Sequence, residues 1–106
     1  MVTALVEDLI SISKILEAGK KAGINIRTLN PKDFDFDDDF YIVDYLHPYA
    51  ISAARMIRDA KPDAKIVGFY PHVRFYIKEE VESFGCIALT NAEFFSKVKD
   101  IVSGTL

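Results

Sequence analysis

The feature that most constrains this chain is how often its apolar pattern changes period. Residues 2–6, 40–43, 66–69 and 86–89 are short, nearly continuous apolar runs. Such runs suit strands covered on both faces, as in a parallel sheet. Residues 24–29 alternate apolar and polar side chains until Leu29, which suits an edge strand with one poorly covered face. Between these runs the apolar spacing turns helical. Leu9, Ile12, Ile15, Leu16 and Ala22 mark one face of a first helix, with Gly23 as its stop. Ile51, Ala54, Ile57 and Ala60 mark a second over residues 49–60, with Pro62 just beyond its end. Val73, Ile77, Val81 and Phe84 define a third, closed by Gly85, and Phe94, Phe95, Val98, Ile101 and Val102 define one last helix.

Strands alternating with helices imply parallel pairing through right-handed crossovers. Five such strands within a single domain of 106 residues predict an α/β, three-layer sandwich of the flavodoxin-like class. Its sheet would be five-stranded and parallel, in the order 2-1-3-4-5. The switch point of that order lies between the first and third strands, so function is expected at their carboxyl ends. The second crossover is short: residues 30–39 span it, with Pro31 near the start and five aspartates inside. A loop or a single turn is expected there, with Phe34 and Phe36 turned inward over the sheet.

Thirteen basic against sixteen acidic side chains, a net charge of -3, argue against a broad nucleic-acid surface. The single cysteine, Cys86, supports neither a disulfide framework nor a cysteine cluster for zinc, and reads as a small buried hydrophobe. The opening residues have no basic stretch followed by an apolar one, and no apolar run approaches the roughly 20 residues of a membrane span. A cytoplasmic, non-membrane domain is the expectation.

Glu7 and Asp8 end the first strand and Asp44 ends the third, so the predicted order brings three carboxylates together. Such a cluster must take up protons or share a cation, and oxygen-only ligands with room for water suit Mg²⁺ better than zinc. Asp8 also directly precedes the first helix, where it can serve as N-cap. Val6, Glu7 and Asp8, followed by the run Asp44, Tyr45, Leu46, His47, Pro48, resemble the acid pair and the Asp-x-x-x-Pro loop of response-regulator receiver domains, the CheY-like family. The resemblance covers the whole chain in element order and length. It implies that Asp44 is the phosphoacceptor and that Glu7, Asp8, Asp44 and the Leu46 carbonyl hold Mg²⁺.

Other receiver positions do not match. The hydroxyl residue ending the fourth strand falls near Tyr70, and the lysine ending the fifth falls near Thr90 or Asn91, neither of them basic. The aromatic residue that usually precedes that lysine is also missing, with Ile87 and Ala88 in its region. Gly68, Phe69, His72 and Val73, followed by Gly85 and Cys86, are similar to a segment of small stand-alone receiver-like proteins with degenerate sites. An aspartyl phosphate brings close to two negative charges into a place already acidic. A unit charge pair 4 Å apart is worth about 4 kcal/mol at an effective dielectric near 20, so the absent lysine weakens the coupling of phosphate to conformation. His47, Pro48, Tyr70, His72, Thr90 and Asn91 are expected to rim the pocket, with His72 as a replacement donor.

The resulting expectation is a stand-alone receiver-like signalling domain with a partly degenerate pocket. It would have no enzymatic turnover and would act through protein partners such as a histidine kinase or a regulator. Two alternatives stand beside it: a receiver that accepts phosphate on Asp44 with Mg²⁺, and a flavodoxin-like domain that binds a small ligand or nucleotide. Against the latter, Ser11 and Ser13 follow the first strand with no glycine to wrap a phosphate. The opening D-x-D-x-D of residues 33–39 imitates a calcium loop, but Asp38 stands where glycine is needed, so a solvated acidic rim is expected. Phe75, Tyr76, Phe84, Phe94 and Phe95 crowd the last two helices. The resemblance implies that this side serves docking and dimerisation, so a homodimer through it is expected.

Overall fold

The protein is described by a computed structural model covering residues 1–105. The elements are β1 (Val2–Leu5), α1 (Leu9–Ala22), β2 (Ile26–Leu29), β3 (Phe40–Asp44), α2 (Ala50–Ala60), β4 (Lys65–Tyr70), a 3-10 turn (His72–Arg74), α3 (Tyr76–Glu82), β5 (Ile87–Thr90), α4 (Asn91–Ser96) and α5 (Val98–Val102). All five strands run parallel in the order β2-β1-β3-β4-β5. The flavodoxin-like expectation is met.

Strand alternation divides the core into two layers. Tyr41, Val43, Ile66 and Tyr70 face Ala53, Ile57, Ile77 and Val81 of α2 and α3. Ile42, Val67 and Phe69 face Ile15 and Ala18 of α1, Phe94 of α4, and Ile101 and Val102 of α5. Among the described residues no helix is long and apolar enough to cross a membrane.

Several helix faces differ from their expected composition. Buried in α1 are Ile15, Ala18 and Gly19, whereas Leu9 and Leu16 are exposed. At Gly19 the helix lies close to β2, where a Cβ would come 2.6 Å from the Ile26 side chain. Val73 is exposed because it belongs to the 3-10 turn and not to α3. The single last helix expected from the spacing is two: Lys97 leaves helical geometry, with φ -119° and ψ 15°, and separates α4 from α5.

The acidic crossover is a clasp where a solvated rim was expected. Arg27 of β2 grips Asp35 with two parallel bonds, Nη1 to Oδ2 at 3.0 Å and Nη2 to Oδ1 at 2.8 Å. Its Nη2 also reaches Asp38 Oδ2 at 3.1 Å, and the buried Thr3 hydroxyl donates to the same oxygen. Lys61, at the end of α2, donates to the Phe36 carbonyl at 3.0 Å and pairs with Asp39 at 2.8 Å. Phe34 packs onto the core as expected. Phe36 does not: it is 41% exposed and meets Phe34 edge-on at 5.6 Å.

Hydrogen bonds from Arg27 and from the Asp37 backbone hold the Asp35 carboxyl down at about 2. A carboxylate whose folded value lies below its unfolded one stabilises the fold above the unfolded value, and that contribution is lost as pH falls. Urea midpoints should therefore drop between about pH 4, the ordinary aspartate value, and pH 2. Arg27→Met should lower the midpoint at neutral pH and flatten this acid limb. An unchanged limb in the variant would contradict the clasp.

Candidate functional site

β1 pairs with β3 in the register Leu5↔Val43, so Glu7 and Asp8 leave the sheet beside Asp44. Together with Leu46 and His47 they line a cavity of about 330 Å³ at the carboxyl end of the sheet. The three predicted acids do meet. Proximity alone, however, does not free them.

Glu7 Oε2 accepts hydrogen bonds from His47 Nε2 at 2.7 Å and from Asn30 Nδ2 at 2.9 Å. These two bonds, that from His47 first, hold the Glu7 carboxyl below its ordinary value. The Tyr49 backbone N–H donates to His47 Nδ1 at 3.2 Å, so the ring carries its proton on Nε2 and donates it to Glu7. Asp8 caps α1: its Oδ2 accepts from the Ser11 hydroxyl at 2.7 Å and the Ser11 backbone N–H at 2.9 Å. The same bonds lower its carboxyl.

Asp44 is the exception. As the last residue of β3 it is half-buried, and its Oδ1 accepts a 3.0 Å bond from the Leu46 backbone N–H. Burial pushes its carboxyl up, against the lowering effect of the Leu46 bond, and the charge on Asp8 adds to the rise. Among the described residues no group of three His, Cys, Asp or Glu side chains is arranged to hold a metal ion.

The loop that presents Asp44 is anchored from inside the fold by Tyr45, which sequence reasoning missed. Its backbone N–H bonds the Phe69 carbonyl at 3.0 Å and its hydroxyl donates to the Ile87 carbonyl at 3.0 Å. The ring lies across β4 at Gly68, where any side chain would overlap both the ring and the Val43 carbonyl. Desolvation drives the buried Tyr45 hydroxyl far above the ordinary tyrosine value. A glycine inside an otherwise apolar strand run was the signal available for this close approach.

The rim residues other than His47 do not line the cavity. Tyr70 shares the α2–α3 face of β4 with Ile66 and is 5% exposed, so it points into the core. His72 is exposed on the 3-10 turn, and Pro48 lies exposed in the loop between β3 and α2. Thr90 caps α4 in a capping box with Glu93: its Oγ1 accepts from the Glu93 N–H at 3.2 Å while Glu93 Oε1 accepts from the Thr90 N–H at 3.1 Å. Asn91 is the exposed first residue of α4. Lys78 approaches β5 from α3, but its ammonium donates to the Ala88 carbonyl at 3.3 Å and pairs with Glu82.

The five crowded aromatics separate by role. Phe94 is fully buried against Phe69 at 4.7 Å, which removes it from any surface. Phe84 is covered by the Arg55 guanidinium and Phe95 by the Lys14 ammonium, each at 5.0 Å. Phe75 and Tyr76 remain outside, 75% and 52% exposed. Cys86 is buried, and desolvation raises its thiol above the ordinary value.

No family model and no curated protein matches the sequence. Among solved structures the chain is similar to a response regulator from Thermotoga maritima, with a TM-score of 0.72 at 20% identity over 97% of each chain. The fold is therefore that of a response-regulator receiver.

Asp44 yields a signed prediction. Its folded carboxyl keeps a proton to higher pH than the unfolded one, so stability falls as pH rises from about 4 through the raised value. Asp44→Asn should raise the urea midpoint at pH 7, and the gain should vanish at pH 3. A variant less stable than the parent at pH 7 would contradict this electrostatic reading.

Proposed function

We propose that this chain is a receiver-like signalling domain whose phosphoacceptor pocket is partly degenerate and which acts by binding other proteins. The observation that carries the proposal is what stands where a receiver's hydroxyl and lysine would be, the buried Tyr70 and the helix cap Thr90. Glu7 is bonded to His47 and Asn30, and Asp8 is bonded to Ser11 at the start of α1. These bonds engage one oxygen of each carboxylate, Oε2 of Glu7 and Oδ2 of Asp8, and among the described residues no three His, Cys, Asp or Glu side chains are arranged to hold a metal ion. Tyr70 is buried in the core and Thr90 is occupied as a helix cap, where a receiver's hydroxyl and lysine would meet the phosphoryl group. A phosphoryl group on Asp44 would then face no ammonium, and its charge would be poorly offset.

The reading gives the chain no turnover of its own. Exposed Phe75 and Tyr76 support the side bearing α3 as a docking surface for a kinase, a regulator or a second copy. A phosphorylation-competent receiver is the second reading, favoured by Asp44 itself, which lines the cavity with its Oδ1 bonded only to the backbone of its own loop.

Incubation with acetyl phosphate and Mg²⁺, followed by intact-mass analysis, separates the two. No stable gain of a phosphoryl group is expected. A gain seen in the parent and absent in Asp44→Asn would overturn the degenerate-pocket reading.

A further inference from the structure

Away from the Asp44 cavity, α1 and α5 lie side by side over the sheet with a groove of about 290 Å³ between them. Ala18, Phe95 and Val98 give it an apolar floor, and Lys14, Lys21 and Lys99 stand on its walls against the single acid Glu17. Glu17 is already paired with Lys21 at 3.3 Å. Lys14 lies over the Phe95 ring, and Lys99 has no carboxylate partner among the described residues. A chain of net charge -3 thus carries a local positive excess around an aromatic floor.

The volume sits at the lower edge of the roughly 300–1,000 Å³ of ligand cavities, room for a few side chains of a peptide. Glu17 stands among the groove's lysines, and its carboxylate would meet a phosphate backbone laid along them. A segment alternating carboxylates with apolar side chains matches both features. Its carboxylates would reach Lys14 and Lys99 while an apolar side chain covers Phe95 and Val98.

We infer that the groove between α1 and α5 docks an acidic, apolar-bearing segment of a partner protein. This rests on the proposed interaction role only in taking a protein as the partner, and is independent of any chemistry at Asp44.

The test uses the full chain and a fluorescein-labelled synthetic peptide that alternates glutamate with leucine and phenylalanine. Anisotropy should saturate, and amide shifts of the isotopically labelled protein should cluster on α1, α4 and α5. The double variant Lys14→Glu, Lys99→Glu should bind at least tenfold more weakly while keeping its circular dichroism, and the milder Lys99→Gln should weaken binding in the same direction. Asp44→Asn should bind as the parent does, so that a failed pocket reading leaves this result standing. The inference is overturned by no saturation, by shifts elsewhere, or by equal binding of a peptide with serine in place of its apolar residues. Tighter binding of duplex DNA, or of phosphatidylserine vesicles, through the same lysines would overturn it too.

Discussion

The parallel pairing of β1 with β3 is the constraint on which the rest depends. Leu5 lies against Val43 in register, and Ala4, Leu5, Ile42 and Val43 are all fully buried. A slip of one residue would exchange the two faces of β3, sending Val43 to the side that Asp44 now occupies and exposing the core. The register therefore fixes Asp44 beside the acids that follow β1. Tyr45, lying across Gly68 and bonded to the Ile87 carbonyl, then ties the loop after Asp44 to β4 and β5.

What the shared position means chemically is decided by the partners each acid has. Glu7 and Asp8 are held below their ordinary values by hydrogen bonds, while Asp44 is raised by burial. A carboxyl beside an ammonium would be lowered, since opposite charge favours the ionised form. The cavity thus has the environment of a desolvated single acid next to two satisfied ones.

Strand order and the meeting of Glu7, Asp8 and Asp44 were legible because short apolar runs mark the strands and the switch point marks the site. The engagement of those acids was not legible, because Asn30 and His47 reach Glu7 from separate loops. Tyr70 was readable in principle: it shares strand parity with Ile66 and Gly68, which places it on the core face, yet comparison by motif put it at the rim. The clasp over the crossover had its signals in Arg27, a charge in an edge strand, and Thr3, a hydroxyl in an apolar run. Neither residue announces its partner. In α1 the spacing allowed more than one apolar stripe, and the one that is buried, Ile15 and Ala18, runs with the close approach at Gly19.

The central claim is that Glu7 and Asp8, each tied through one carboxylate oxygen to His47 and Asn30 or to Ser11, hold no tight Mg²⁺ with Asp44. Titration of the isotopically labelled protein with MgCl₂, read at the amides of Glu7, Asp8, Asp44 and Leu46, tests it most directly. The account predicts small, non-saturating shifts through the millimolar range. Saturable shifts confined to those four positions, lost in Asp8→Asn, would contradict it.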